Sequence, residues 1–301
     1  MMKVNVRIPA TSANLGPGFD TLGIALNYYD EYQAETIESG LEIVVQGEGK
    51  GDIPTDESNL VFRALSLVFE RTGEKLPGLR LTTNNQIPHG RGMGSSGAAV
   101  AGGIMLAAGL LGKQHSFSEQ QLLDFATVLE GHPDNVAPAL FGGMTIAWTD
   151  FEGPHHKQLR VHRGVSPIVM VPPNQMSTKL ARSLQPESVP HEDAVFNLSR
   201  SALLVAALIS SPELMLPATE DRLHQDYRAS AMPETQELIV KLRELGHPAV
   251  VSGAGPSVLI LEPNPQKRLD VQAFAEKNYP HWRVLMLAVD SKGASVEVHE
   301  E

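Results

Sequence analysis

The segment Pro88-His-Gly-Arg-Gly-Met-Gly-Ser-Ser-Gly-Ala-Ala99 places four glycines and two serines directly before a helix-forming sequence. Glycine lacks a Cβ atom and adopts positive φ angles, so a ligand can approach the backbone closely. The first turn of a helix offers free N–H groups and positive potential, which favour phosphate. The hydroxyls of Ser95 and Ser96 can cap the helix, bind phosphate oxygens or coordinate Mg²⁺. The sequence therefore predicts a phosphate-binding loop over residues 88–99.

Two familiar phosphate loops do not fit this segment. A Walker A loop ends in Gly-Lys-Ser/Thr, but no lysine lies between Lys75 and Lys113. A dinucleotide fingerprint requires a ribose-binding acid about 20 residues further on, and no acidic residue lies between Glu74 and Glu119. The loop considered alone leaves one alternative open, an ordinary glycine-rich turn before a buried helix.

Composition limits the class of protein. The chain has 301 residues, of which 42% are hydrophobic and 20% charged, typical of a globular protein with one large domain or two smaller ones. A net charge of −11 argues against general binding to nucleic acid or to a membrane surface. The absence of cysteine excludes disulfides, thiolate zinc sites and a cysteine nucleophile. No apolar run approaches a membrane span and the N-terminus lacks a signal-peptide core, so we expect a cytoplasmic protein.

Hydrophobic periodicity predicts an α+β chain with two lobes. A polar stretch over 149–156 resembles a boundary, so we predict an N-terminal lobe over 1–155 and a C-terminal lobe over 156–301. The pattern predicts strands over 4–8, 31–36, 41–46, 79–83, 144–148, 159–161, 168–171, 249–252, 258–261, 282–289 and 294–298. It predicts helices over 60–70, after the glycine loop, from the capping box Ser118-Glu-Gln-Gln121, and over 178–184, 194–209, 234–245 and 265–278.

Two further clusters carry polar side chains on turns. In Pro9–Asp20, Asn14 and Asp20 can bind a small polar substrate, although the segment taken alone slightly favours a surface loop with side-chain turns. In Glu130-Gly-His-Pro-Asp-Asn135, a carboxylate can hold Mg²⁺ on a triphosphate. Glu130 is the better candidate and Asp134 the second. The alternative is a helix end at Gly131, with Asp134 and Asn135 capping the next helix.

A third cluster, Ser252-Gly-Ala-Gly-Pro-Ser257, lies between two strand-like runs. Gly253 and Gly255 permit a tight turn that can close over an active site, and a simple hairpin connection is the alternative.

Together these clusters resemble the GHMP kinases. Residues 88–99 are similar to the phosphate loop of that family, with Met93 where leucine is usual, and Gly253–Ser257 is similar to its C-terminal glycine motif. Within the family, Pro9–Asp20 and Gly131–Pro138 most resemble the homoserine kinases. The resemblance implies an N-terminal lobe like the second domain of ribosomal protein S5 and a ferredoxin-like C-terminal lobe.

The resemblance also implies an ATP-dependent kinase that phosphorylates the side-chain hydroxyl of L-homoserine in threonine biosynthesis. The alternatives are a GHMP kinase for another small alcohol, such as mevalonate, a diphosphocytidyl polyol or a sugar, and a non-catalytic nucleotide-binding protein. The expected ligands are ATP, Mg²⁺ and L-homoserine, without nucleic acid or membrane. Dimers are common among such kinases, so the resemblance allows a homodimer, although no interface is recognisable in the sequence.

Site residues follow from the resemblance, position by position. The ATP phosphates are expected on the backbone of His89, Gly90, Arg91, Gly92, Met93, Gly94, Ser95, Ser96, Gly97, Ala98 and Ala99. Mg²⁺ is expected on Ser95 or Ser96 and on Glu130. The homoserine site is expected to comprise Asn14, Asp20, Asn135, Thr178, Arg182 and Arg228, with the two arginines as carboxylate partners.

Catalysis is expected from Asn135, Asp134 and Glu130. Asn135 occupies the substrate-facing position, and an amide cannot usefully accept a hydroxyl proton. Because phosphoryl transfer depends mainly on positioning and charge neutralisation, we hypothesise that no side-chain base is required.

Overall fold

The structure, a computed structural model, describes residues 2–112 and 115–300. Its strands are β1 (Met2–Asn14), β2 (Gly18–Ile37), β3 (Leu41–Gly47), β4 (Gly78–Asn85), β5 (Met144–Asp150), β6 (Gly153–Leu159), β7 (Ser166–Val171), β8 (Ala249–Val251), β9 (Val258–Glu262), β10 (Arg283–Met286) and β11 (Ser295–Glu300). Its helices are α1 (Leu60–Thr72), α2 (Ser95–Leu111), α3 (Glu119–Glu130), α4 (Pro133–Phe141), α5 (Thr178–Ser183), α6 (His191–Ile209), α7 (Met215–Ala218), α8 (Gln225–Arg228), α9 (Pro233–Glu244) and α10 (Pro265–Asn278).

The larger sheet forms the N-terminal lobe. Its strand order is β11-β1-β2-β4-β3, with β5 joined to β2 and β6 joined to β5. Strands β3 and β4 are parallel, whereas the other pairs are antiparallel. Helix α2 is buried on most of its surface and packs on α1 and β1. This explains its almost uniformly apolar sequence, because a helix enclosed on all sides has no solvated face.

The smaller sheet forms the C-terminal lobe. Its order is β10-β7-β9-β8, with antiparallel pairing throughout. Helices α9 and α10 bury Leu238, Leu242 and Val271 in a second core against this sheet. Two predicted helix caps are present, one in this lobe and one in the N-terminal lobe. Asn264 caps α10 through its side chain, and Ser118 and Gln121 form a capping box on α3.

The sheets do not divide at the predicted boundary. Residues 149–156 belong largely to the hairpin of β5 and β6, in which Asp150 pairs with Gly153 and Trp148 with His155. The strand predicted over 159–161 is not a separate element, since Leu159 ends β6 and pairs with Met144. In addition, β11 returns from the C-terminal end and pairs with β1. The N-terminal lobe is therefore built from both ends of the chain, and a division at residue 155 passes through β6.

Helix α4 is a further element that periodicity missed. It begins at Pro133 after His132, and no side chain caps it. None of the helices in the described part of the chain is both long and apolar enough to cross a bilayer.

Candidate active site

The glycine loop enters α2 through a series of left-handed residues. Gly90, Gly92 and Gly94 have φ angles of 63°, 71° and 71°, and Gly94 is the N-cap of α2. No side chain caps this helix. The first helical hydrogen bond runs from the Ala98 N–H to the Gly94 carbonyl. The N–H groups of Ser95, Ser96 and Gly97 therefore precede the helical ladder, which is the arrangement that favours an anion.

Contacts with distant segments hold the loop. The Thr11 N–H donates to the Met93 carbonyl at 3.1 Å, and the Ser252 hydroxyl donates to the Gly92 carbonyl at 2.6 Å. The Met93 side chain is fully buried in the core. The Arg91 guanidinium donates to the carbonyls of residues 172 and 173 at 3.0 and 2.7 Å. Arg91 thus anchors the loop through its guanidinium, and Met93 anchors it through its buried side chain and its carbonyl.

Helix α3 brings Glu130 to the loop. The Ser96 hydroxyl donates to the Glu130 Oε2 at 2.7 Å. Burial raises the pKa of Glu130, while the hydrogen bond from Ser96 and the charge of Arg182 oppose this shift. A hydroxyl and a carboxylate are oxygen donors of the kind that Mg²⁺ prefers. The sequence left Ser95 and Ser96 as alternatives, and the hydrogen bond pairs Ser96 with the carboxylate.

The first turn of α4 carries the other two predicted catalytic residues. Asp134 is almost completely buried, which raises its pKa to about 7, and the nearby Asp20 carboxylate contributes to the shift. The Asn135 Oδ1 accepts a hydrogen bond from the Thr11 hydroxyl at 3.0 Å. The Asn135 amide is therefore oriented by β1, and its neighbour Asp134 has an increased preference for the protonated form near neutral pH.

The turn between β1 and β2 is unusual in its backbone. Asn14, Leu15 and Asp20 are non-glycine residues with φ angles of 70°, 51° and 53°. The Asn14 side chain accepts from the Asp20 N–H at 3.0 Å and donates to the Gly253 carbonyl at 2.9 Å. Strained backbone persists where surrounding contacts over-determine it and is frequent at functional sites. Here the Asn14 amide ties Asp20 to the glycine turn of the other lobe.

Asp20 forms an ion pair with Arg182 from α5. The two guanidinium nitrogens lie 3.0 and 3.3 Å from the two carboxylate oxygens, so the pair is bidentate. Both side chains are about one-third exposed to solvent, at 32% and 38%. The pair lies at the edge of a cleft and presents a negative and a positive group side by side.

Arg228 lies deeper and is 2% exposed. Its guanidinium donates to the Gly253 carbonyl at 3.3 Å and lies 3.3 Å from the Nδ1 of His224, whose Nε2 contacts the Gly16 carbonyl at 2.7 Å. Burial lowers the pKa of Arg228 to about 10, so the side chain stays charged at neutral pH. Burial also lowers the pKa of His224, which favours the neutral imidazole. His224 was absent from the sequence predictions because nothing in its local sequence marks it.

One cleft of about 440 Å³ unites these groups. All six predicted substrate-binding residues line it: Asn14, Asp20, Asn135, Thr178, Arg182 and Arg228. Gly90, Gly92, Gly94, Ser95, Ser96, Glu130, Asp134, Gly253 and Gly255 also line the cleft. Of the remaining predicted loop residues, Gly97 and Ala98 are buried in α2, and His89 and Ala99 face a second cavity.

This second cavity, of about 290 Å³, shares Ser95 and Ser96 with the cleft. Its other walls come from the segment before α1 and from β2 and β4, and they include Ile53, Asn59, Tyr32 and Asn85. Sequence reasoning missed it because its walls come from separate segments with no recognisable motif. The two serines thus lie between a polar cleft and a neighbouring pocket.

The chain is similar to known proteins over nearly its whole length. The family models GHMP kinases N terminal domain and GHMP kinases C terminal match residues 59–143 and 203–281. Homoserine kinase from Clavibacter michiganensis subsp. michiganensis is 61% identical, over 99% of this chain and 95% of that protein. Homoserine kinase from Leifsonia xyli subsp. xyli is 63% identical, over 97% of this chain and 91% of that protein. The chain belongs to the homoserine kinase family of the GHMP kinases.

A solved structure of this family is similar over the whole chain. The crystal structure of homoserine kinase from Cytophaga hutchinsonii is 26% identical, with a TM-score of 0.88 over 98% of this chain and 97% of that one. The two-lobed GHMP kinase fold expected from the motifs is confirmed. The glycine loop and the cluster over 130–135 lie inside the first family match, and the glycine turn at 253–257 lies inside the second.

Proposed function

We propose that the chain transfers the γ-phosphoryl group of ATP to the side-chain hydroxyl of L-homoserine and produces O-phospho-L-homoserine, a step of threonine biosynthesis. The observation that carries the proposal is the shared cleft, which is lined by the glycine loop and the start of α2, by the Asp20–Arg182 ion pair and by Arg228. Homoserine is a zwitterion with a short hydroxyl arm. A site that recognises it therefore needs an anionic group, a cationic group and a bound phosphate donor, all within the length of one small molecule.

The acceptor is held by its charged end. Arg182 and Arg228 would bind the carboxylate, because a guanidinium matches a carboxylate through parallel hydrogen bonds. Asp20, tied to Asn14 through its backbone, would bind the ammonium group. The substrate carboxylate would thereby replace Asp20 as the partner of Arg182, and the substrate ammonium group would replace Arg182 as the partner of Asp20. Asn135 and Thr178 line the same cleft and would orient the remainder of the substrate.

The donor is held by backbone groups. The N–H groups at the start of α2 and the positive end of its dipole would bind the ATP phosphates, and the second cavity would take the nucleoside. Ser96 and Glu130 would hold Mg²⁺, which when bound neutralises negative charge on the phosphates. The amides of Ser95, Ser96 and Gly97 then stabilise the charge that develops on the transferred group, because they are fixed before the reaction begins.

The acceptor hydroxyl loses its proton without a dedicated side-chain base. Asn135 is an amide whose oxygen already accepts from Thr11. Asp134 is only 4% exposed, which leaves little of its side chain open to the substrate. We therefore propose that the proton of the acceptor hydroxyl passes to phosphate or to water.

We also propose a cytoplasmic location, where ATP and amino-acid precursors are available.

The test is a steady-state assay of ADP formation with L-homoserine, mevalonate and galactose as alternative acceptors. We expect turnover with L-homoserine, identification of O-phospho-L-homoserine by mass spectrometry, and loss of activity in the Glu130→Gln variant. Turnover with another alcohol and none with homoserine would overturn the substrate assignment. Binding of MgATP without transfer to any alcohol would overturn the enzymatic assignment.

A further inference from the structure

Protein groups hold the buried guanidinium of Arg228 by two of its three nitrogens. Its Nη1 donates to the Gly253 carbonyl and to the Nδ1 of His224, each at 3.3 Å. Its Nε donates at 2.9 Å to the Gln185 side-chain oxygen, in the amide orientation that satisfies both polar atoms of Gln185. Within residues 2–112 and 115–300, no protein hydrogen-bond acceptor contacts Nη2. Because Arg228 lines the cleft, the nitrogen that remains for a bound anion is Nη2.

The ring of His224 supplies one of these acceptors. Its Nε2 lies 2.7 Å from the Gly16 carbonyl oxygen, which can only accept, so Nε2 carries a hydrogen and donates. A neutral imidazole has one donor nitrogen and one acceptor nitrogen, so Nδ1 is the acceptor. The ring is completely buried and stacks on Phe19 at a centroid distance of 5.0 Å. These contacts require the Nε2–H tautomer, with the Nδ1 lone pair available to Arg228.

A protonated His224 cannot serve Arg228. Both ring nitrogens of an imidazolium are donors, so a second N–H would face the guanidinium charge. Burial lowers the pKa of His224 and favours the neutral ring. The Asp221 carboxylate, 3.6 Å from Nε2, opposes this shift. Its oxygens already accept from the backbone N–H groups of Leu223, His224 and Gln225, so the carboxylate is satisfied without an imidazolium.

His224 connects two sides of the proposed homoserine site. Gly16 belongs to the turn between β1 and β2, in which the Asn14 side chain holds Asp20. His224 is the N-cap of α8 and lies four residues before Arg228, so the two side chains lie on the same side of this helical turn. One ring thereby ties Arg228 to the turn that carries Asp20. Both ring nitrogens contact groups of one site, which a histidine buried only for packing does not require.

We propose that His224 is a positioning residue for the acceptor substrate: its Nε2–H tautomer holds Nη1 of Arg228 against the turn between β1 and β2 and leaves Nη2 for the substrate carboxylate. The proposal rests on the proposed function for the identity of that carboxylate. It goes beyond that function because it states which nitrogen of Arg228 binds the substrate. It also makes the affinity for homoserine depend on Nδ1 of a residue that does not line the cleft.

Two amide substitutions separate the two nitrogens of His224. An asparagine side chain places its oxygen near the position of Nδ1, so His224→Asn keeps an acceptor for Arg228 and loses the contact with Gly16. A glutamine side chain places its NH₂ group near the position of Nε2, so His224→Gln keeps the donor to Gly16 and loses the acceptor for Arg228.

The expected results differ for the two variants. His224→Gln should raise the KM for homoserine about tenfold, roughly the effect of one lost hydrogen bond to a charged group. His224→Asn should keep the KM for homoserine within about threefold of wild type, because the hydrogen bond to the charged group is kept. Neither variant should change kcat or the KM for ATP, since Arg228 would bind the substrate equally in the ground state and the transition state.

His247→Gln is the matched control. His247 is also a buried histidine with a polar partner, since its Nδ1 lies 3.0 Å from the Glu262 carboxylate, but it does not line the cleft. This variant is expected to lose stability and to keep the wild-type KM for homoserine. A KM for homoserine in His224→Gln that equals or falls below that of His224→Asn would overturn the proposal. So would KM values that simply follow the Tm of the three variants, measured by circular dichroism.

A second measurement needs no substrate. Nitrogen-15 NMR spectra of the histidine-labelled wild-type chain distinguish the two neutral tautomers and the imidazolium, and the spectrum of either His224 variant identifies the His224 signals among the eleven histidines. We expect the Nε2–H tautomer at neutral pH, and an Nδ1–H tautomer or an imidazolium overturns the proposal. This outcome is separate from the proposed function, which fails by itself if the wild-type chain does not turn over homoserine.

Discussion

The two halves of the cleft are built in different ways. The proposed donor half consists of the glycine loop, the start of α2 and Glu130, and it would bind the phosphates through backbone N–H groups of one contiguous segment. The proposed acceptor half consists of Asp20, Arg182 and Arg228, which would bind the substrate through charged side chains from three distant segments. A backbone site needs glycines at fixed positions and therefore leaves a sequence motif. A side-chain site needs only that the fold bring single residues together, so no contiguous motif joins its members.

The largest effect is expected from Glu130 in the donor half. Glu130→Gln preserves shape but removes the carboxylate that contacts Ser96. We expect kcat to fall by about 10³-fold, comparable with the loss of a fixed electrostatic group in an active site. Asp124→Asn, on the same helix, is the control and should leave kcat unchanged. A loss below tenfold in Glu130→Gln, measured in the ADP-coupled assay, would contradict the role of this carboxylate.

A selective effect is expected from Arg182 in the acceptor half. Arg182→Lys keeps the charge but loses the bidentate geometry. We expect kcat/KM for homoserine to fall by about 10²-fold, equivalent to one strong charge-assisted hydrogen bond, with the KM for ATP unchanged. Arg222→Lys changes a surface ion pair with Asp193 and is the matched control. An increase in the KM for ATP equal to that for homoserine would show that the two halves are not separable.

A third prediction compares two glycines. Both have a positive φ angle, but only one is also approached closely by another residue. Gly94 and Gly73 have nearly the same φ angles, 71° and 73°, and each lies at a helix end. A Cβ at Gly73 meets open space, whereas one at Gly94 would overlap the Thr11 hydroxyl. We expect Gly73→Ala to cost about 1 kcal/mol in the free energy of unfolding and to leave ATP binding intact. Gly94→Ala should cost more and should raise the KM for ATP about tenfold, roughly the effect of one lost hydrogen bond. Equal denaturant midpoints and equal KM values would contradict the close approach.

The smallest effect on rate is expected from Asp134. Its pKa is about 7 in the folded chain and ordinarily 3.8, so between these values the folded state keeps a proton that the unfolded state has lost. Stability therefore falls as pH rises through this window. Asp134→Asn should remove that slope, so its Tm should exceed the wild-type value at pH 7.5 and approach it at pH 4.

The kcat of Asp134→Asn should stay within about tenfold of wild type, less than the contribution of a general base. A decrease of about 10²–10⁴-fold with unchanged substrate affinity and folding would instead identify Asp134 as the base.

Local signals predicted much of the fold. The capping box at Ser118, the Asn264 cap and the glycine loop all depend on residues within a few positions of one another, and each is present as expected. The missed features involve long-range pairing. The return of β11 to β1 joins the two ends of the chain, and the extension of the N-terminal sheet by β6 depends on a hairpin whose polar sequence resembles a linker.

The sequence by itself predicted the proposed donor half, because a phosphate site made of backbone requires glycines, small residues and a helix start in immediate succession. It also determined which residue types were available to the acceptor half. Only the tertiary structure decided that Ser96 faces Glu130, that Arg182 faces Asp20 and that His224 holds Arg228. Arg182 and Asp20 are 162 positions apart and meet only because their segments pack together, and Ser96 meets Glu130 because α3 packs on α2. Local sequence patterns do not predict which distant segments will meet, since the hydrophobic effect that brings segments together is non-directional.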